Sequence, residues 1–182
     1  RISGSSPSYM NIDEKISRSI HETTKKSWAL RHLAVFCADD LIWLMIGLGL
    51  GTELFDGRGE IYEAFWLISW WGLILFGSWF VTFLIGRQVK RLRPYVKHKY
   101  QPLIRPFIET PSFPSAHATF VFALAVFLTI QSPLAAWFLM GAVFVALGRV
   151  AVGVHYLSDV FVGAVVGSVV PWALALMIWT IV

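Results

Sequence analysis

Cysteine is nearly missing from these 182 residues: Cys37 is the only one, which excludes an intrachain disulfide and any metal site built from several thiolates. Charge is scarce as well. Asp, Glu, Lys and Arg make up 14% of the chain, against about a quarter in soluble domains. The first 27 residues hold no apolar stretch ahead of a small-residue cleavage site, so no cleavable signal peptide is read there. Internal repeats and low-complexity tracts are also lacking, which sets solenoids and disordered tails aside.

Apolar residues fill the space that charge leaves. They form 57% of the chain, with nine Trp and fourteen Phe and a mean hydropathy of +0.65. Five apolar runs, Ala29–Gly51, Ile61–Gly86, Ala116–Ile130, Leu134–Val152 and Asp159–Val182, predict an all-α, polytopic membrane bundle of about five transmembrane helices. Helices follow because a lone helix satisfies its own backbone hydrogen bonds in lipid. The third run is short by itself, so its helix must start at or before His117. Ahead of the runs, Ile12, Ile16 and Ile20 recur every fourth residue among charges, which predicts an amphipathic helix lying along the membrane surface. Residues 1–10 read as a flexible leader or expression remnant, and 11–182 as one membrane-embedded domain.

The links between runs are unequal. Gly51–Glu60 is an acidic turn, Gln131–Pro133 is minimal, and Arg87–Phe113 is long, basic and proline-containing. Five crossings bring this long loop and the Gly153–Ser158 turn to one side of the membrane. Three segments therefore meet there: Arg93-Pro94, Pro114-Ser-Ala-His117, and Gly148-Arg149 followed by His155 and Asp159. The guanidinium forks of Arg93 and Arg149 suit phosphate oxygens, and Ser115 with the neighbouring amides at a helix start adds neutral donors. Two imidazoles divide the work of attacking phosphorus and protonating the departing oxygen. His155 and Asp159 stand four apart, so the carboxylate orients one ring nitrogen and leaves the other to attack. Arg149, deep in an apolar run, costs about 2.5–3.5 kcal/mol to insert unless compensated. Asp39 and Asp40 inside the first run pose the same problem, and one of them is expected to face the substrate cavity or a basic group beside it. The net charge of +4 sits beside apolar spans, which favours anionic lipid over nucleic acid as partner.

At these residues the chain resembles the type 2 phosphatidic acid phosphatase family, whose signature runs Lys-x6-Arg-Pro, Pro-Ser-Gly-His, then Ser-Arg-x5-His-x3-Asp. Arg93 and Pro94 match the first segment, Pro114, Ser115 and His117 the second, and Arg149, His155 and Asp159 the third. The resemblance implies a membrane lipid phosphatase in which His155 forms a phosphohistidine, Asp159 partners it, and His117 is the acid. Arg93, Ser115 and Arg149, with the Ala116 amide, would bind phosphate, with no metal and no cofactor. Three positions depart from the signature: Gly86 replaces the lysine, Ala116 the glycine and Gly148 the serine. Arg87, with its longer reach, is the first candidate to replace the lysine, and Lys90, on the helical face of Arg93, the second.

Within that family the chain is most similar to the bacitracin-resistance type of undecaprenyl-diphosphatase, in its Asn11–His21, Ser112–Thr119 and Val152–Tyr156 stretches. That likeness implies an integral protein of a bacterial cell membrane, acting on a polyprenyl diphosphate in cell-wall synthesis. Phosphatidate, phosphatidylglycerol phosphate or another polyprenyl phosphate are alternative substrates. A non-catalytic lipid-binding protein on the same scaffold is the alternative of a different class, and a soluble vanadate haloperoxidase shares related motifs but not this hydropathy. The facing stays open. Lys and Arg crowd the N-terminal segment and the long loop, which points to a cytoplasmic site, whereas the undecaprenyl-diphosphatase likeness implies an external one. A cytoplasmic site would favour a polyprenyl phosphoribose phosphate or an isoprenoid diphosphate.

Overall fold

The computed structural model describes residues 10–55, 61–106, 110–129 and 134–179. Its helices are α1 (Ile12–Lys26), α2 (Trp28–Val35), α3 (Leu41–Phe55), α4 (Ile61–Val89), α5 (Pro94–Lys97), α6 (Ala116–Thr129), α7 (Ala135–Ala151) and α8 (Leu157–Trp179). Strands are absent among the described residues. A π-helical segment, Phe36–Asp40, joins α2 to α3. The expected leader apart from Met10, part of the acidic turn before Glu60 and the Gln131–Pro133 turn lie outside the described residues.

The five apolar runs correspond to α2–α3, α4, α6, α7 and α8. Three stretches, Trp28–Thr52, Ile68–Lys97 and Leu157–Leu174, are long and apolar enough to cross a bilayer, while α6 and α7 are shorter apolar helices. Their outward faces are greasy: Trp43, Phe65, Trp137 and Phe161 are each about two-thirds exposed or more. That suits lipid rather than water as solvent. At 14 residues α6 reaches only about 21 Å, less than a hydrocarbon core of about 30 Å. Its place in the fold resolves this, because α6 is the central helix, packed against α8, α7 and α4. Ala118, Val121, Ala123, Ala125 and Leu128 are fully buried. Small residues make the closest of these contacts. A Cβ at Gly163 would lie 2.7 Å from the Ser115 carbonyl, and one at Gly167 would collide with the Thr119 carbonyl. The α8 backbone thereby lies directly on the start of α6.

The N-terminal helix is amphipathic as the isoleucines predict, but its polar side does not face water. Glu14, Ser17, His21 and Thr24 are buried, whereas Ile12 is 77% and Ile16 42% exposed. Asn11 caps the helix, its Oδ1 accepting from the Glu14 amide at 2.9 Å. The buried polar groups bind the chain around the turn between α7 and α8. His21 Nδ1 meets the Ala151 carbonyl at 2.8 Å, Ser17 Oγ accepts from the Leu157 amide at 2.9 Å, and Glu14 pairs with Lys97 at 2.5 Å. Burial pulls the His21 pKa below its ordinary value, which keeps the ring neutral in this contact. The helix is a strut beneath the long loop as well as a surface element.

Candidate active site

Arg93, His117, Arg149 and His155 line one cavity of about 460 Å³, which gathers the three sequence segments at one end of the bundle. His155 sits in the short turn after α7, 2% exposed, and reaches its position because Gly153 takes the left-handed conformation (φ 85°). Its Nδ1 lies 2.8 Å from the Ser112 carbonyl. A carbonyl only accepts, so Nδ1 carries the hydrogen and Nε2 keeps its lone pair. Nε2 lies 3.4 Å from Arg93 Nη1 and borders the cavity.

Asp159 stands behind the ring rather than against it, with Oδ2 at 3.6 Å from Nδ1. The spacing of four residues on its own suggested direct control by the carboxylate. In the fold, the Ser112 carbonyl is the nearer partner of Nδ1, and Asp159 adds a buried negative charge. Its Oδ2 accepts from the Tyr156 amide at 2.8 Å and from the Ser112 hydroxyl, and its Oδ1 accepts from Arg91 at 2.6 Å.

The two arginines are held from behind. Arg93 donates from Nε to the Thr110 carbonyl at 3.0 Å and from Nη2 to the Thr110 hydroxyl at 2.9 Å. Arg149, 3% exposed, donates from Nη1 to the Ala38 carbonyl at 3.2 Å, and the Asp39 carboxylate lies 3.8 Å away. The Arg149 Nε has no partner among the described residues. A buried, partly unpartnered guanidinium beside two imidazoles is a ready anion site. Asp39, whose side chain is 61% exposed, lines the same cavity and so answers the question posed by the acidic pair in the first run, while Asp40 is not among the lining residues.

Ser115 is one step removed from the cavity. Its amide donates to the Asp159 carbonyl at 3.0 Å, and its buried hydroxyl caps α6 by accepting from the Ala118 amide at 3.5 Å. Ala116 and His117, in the first turn of α6, line the cavity instead. Arg87 borders the cavity and Lys90 is not among its lining residues. Gly86 packs against the long loop, where a Cβ would come within 3.2 Å of the Phe113 carbonyl. Arg105 also lines the cavity and was not singled out from sequence, since it stands in no motif. Arg91, at an unspecified position of the Lys-x6-Arg-Pro segment, Thr110, and Ser112, which opens the Ser112–Thr119 stretch, were not singled out either.

A second, apolar cleft of about 270 Å³ shares Trp79, Ala116 and His117 with the cavity and continues along Ile42, Ile46 and Phe120. The cavity with the arginines and histidines and the apolar cleft therefore share a wall.

Comparison with known proteins shows the family. Residues 67–182 match the family model described as the PAP2 superfamily. Decaprenylphosphoryl-5-phosphoribose phosphatase of Mycobacterium tuberculosis is 35% identical over 147 residues, covering 78% of this chain and 72% of that protein. Undecaprenyl-diphosphatase of Sulfolobus acidocaldarius is 36% identical over 103 residues, covering 53% of this chain and 50% of that protein. Among solved structures, Aquifex aeolicus LpxE superposes with a TM-score of 0.67 at 21% identity, over 90% of this chain and 94% of that one. The transmembrane PAP2-type phosphatidylglycerolphosphate phosphatase of Bacillus subtilis gives 0.61 at 22% identity, over 93% and 86%. With a family match over well over half its length, and a relative sharing about a third of its residues across most of both proteins, this integral membrane protein belongs to the PAP2 superfamily of lipid phosphatases.

Proposed function

We propose that this protein hydrolyses the terminal phosphate of a polyprenyl-linked substrate through a phosphohistidine on His155. In this reading the Nε2 lone pair attacks phosphorus, the bond from phosphorus to the leaving oxygen breaks, and His117 supplies that oxygen with its proton. A water then attacks the phosphohistidine, His117 takes a proton from it, and phosphate leaves. Arg93, Arg149 and the amides of Ala116 and His117 compensate the charge on the transferring group. Arg87 and Arg105, at the exposed rim, hold the second phosphate, which lies nearer the lipid in both polyprenyl substrates considered. Among the described residues no three His, Cys, Asp or Glu side chains form a metal-ligand group, and guanidinium groups carry the compensating charge in this scheme.

The observation that supports a lipid-linked substrate is that the charged cavity and the apolar cleft lie side by side, both lined by Trp79, Ala116 and His117. An isoprenoid chain along Ile42, Ile46 and Phe120 leaves its phosphate between the two histidines. Of the polyprenyl candidates, a polyprenyl phosphoribose phosphate is the first reading. The match to the decaprenyl relative runs over 147 residues against 103 for the diphosphatase, and the crowding of Lys and Arg on the active-site end favours a cytoplasmic site. The second reading is hydrolysis of an undecaprenyl-type diphosphate to the monophosphate, which the signature stretches around His117 and His155 support.

Phosphate release by the purified protein in detergent with EDTA tests both. The panel is a polyprenyl phosphoribose phosphate, undecaprenyl diphosphate, phosphatidate and phosphatidylglycerol phosphate. Turnover of a polyprenyl substrate at a kcat/KM at least about 10-fold above either glycerolipid is the expected outcome. Preference for a glycerolipid, or loss of activity with the chelator, contradicts the proposal.

A further inference from the structure

Arg91 falls at an unspecified position of the first signature segment, yet it joins the strut helix to the carboxylate behind His155. Its Nη1 donates to Asp159 Oδ1 at 2.6 Å and to Ser158 Oγ at 2.7 Å, and its Nη2 donates to Asp13 Oδ2 at 2.7 Å. Its guanidinium also lies over the Tyr156 ring, 4.0 Å from the centroid. Asp13 is held in turn by the Ser158 amide at 3.0 Å and the Ser158 hydroxyl at 2.5 Å. Arg91 is not among the residues lining the cavity, and its guanidinium is turned instead to Asp13, Ser158 and Asp159.

The charges add up in a useful way. Asp159 is fully buried, and a buried carboxylate without a cation is costly. A lone Arg91 would cancel it and leave the ring facing a neutral pair. Asp13, the second carboxylate on the same guanidinium, restores one net negative charge to the group of three. When Nε2 bonds to phosphorus the imidazole becomes cationic, and a fixed negative charge behind Nδ1 stabilises that state without reorganisation. Asp13 fits this part, since the bonds from Ser158 and Arg91 outweigh burial and hold its carboxyl below the usual carboxylate range.

We propose that Arg91 is a positioning residue for the phosphohistidine reaction, fixing Asp159 behind His155, and that Asp13 on α1 completes the device. The inference rests on the phosphohistidine reading above. Its test uses Arg91→Gln, Arg91→Lys and Asp13→Asn in the purified full chain, with the polyprenyl substrate turned over fastest and with orthovanadate, whose trigonal-bipyramidal form imitates the transferring phosphoryl group. For Arg91→Gln, kcat falls about 100-fold, KM stays within about 3-fold, and the vanadate inhibition constant rises by about the same factor as kcat falls. Arg91→Lys recovers about 10-fold of the loss, and Asp13→Asn alone lowers kcat about 10-fold, again with a matching rise for vanadate.

The inhibition constant does not depend on how much enzyme is folded. A fall in kcat with an unchanged vanadate constant would therefore make Arg91 merely structural and overturn the proposal, as would wild-type kinetics in Arg91→Gln. Should Arg91→Gln fail to fold, Asp13→Asn carries the same readout, and wild-type values for it would overturn the proposal. Turnover that survives in His155→Asn would bring down the underlying reaction instead, and that result is separable because it does not involve Arg91 or Asp13.

Discussion

In the proposed reaction, two separate constraints ready His155 for attack, a hydrogen bond and a deficit of solvent. The Ser112 carbonyl fixes the hydrogen on Nδ1, and burial disfavours the charged ring. Burial outweighs the pull of Asp159 in the other direction and brings His155 down to about 4. Between that value and about 6.5, the ordinary histidine pKa, the folded protein binds fewer protons than the unfolded chain. The contribution of neutral His155 to stability is thus complete above about pH 6.5 and is lost as the pH falls through about 4. In 13C-histidine NMR spectra, with His155→Asn used for assignment, the His155 ring signals should hold the neutral form down to about pH 5. A midpoint near 6.5 would contradict this account of the nucleophile. At this scale the sequence brought Arg149, His155 and Asp159 together because they lie within eleven residues across the end of α7, the turn and the start of α8. It was silent on Ser112, Arg91 and Asp13, because their partners come from distant segments and no local spacing encodes them.

The elements explain two departures from the family signature. The π-helical segment in the first span brings the Ala38 carbonyl to Arg149 and Asp39 to the cavity. It also occupies the space of a side chain at position 148, where a Cβ would lie 2.8 Å from the Ala38 amide nitrogen and 3.0 Å from Cys37. Gly148 therefore follows from backbone packing. Restoring the family serine, Gly148→Ser, should lower the thermal midpoint in detergent, corresponding to about 1–3 kcal/mol, and should not raise kcat. A variant as stable as wild type with faster turnover would show that the hydroxyl is missed and the packing is not decisive. Gly86 follows similar logic beneath the Phe113 carbonyl. Neither reason was visible in sequence, since a π-helical widening has no composition of its own and both contacts come from outside the glycine's own helix.

For the molecule as a whole, the bundle and the gathering of the three motif segments at one end were legible, because run length marks spans in lipid and parity of crossing brings the loops together. The orientation of α1 was only half legible. Its isoleucine stripe is real, yet the fold places the opposite, polar face against the loop around His155, a choice set by Glu14, Ser17 and His21 finding partners there. The central claim is that a phosphoryl group passes through His155 at this end of the bundle. Its most direct test is a rapid alkaline quench of the protein mixed with a 32P-labelled polyprenyl substrate, followed by mapping of the labelled peptide. The account predicts base-stable label on the peptide containing His155, absent from His155→Asn. Label on another residue, or steady turnover with no labelled protein at any time, would contradict it.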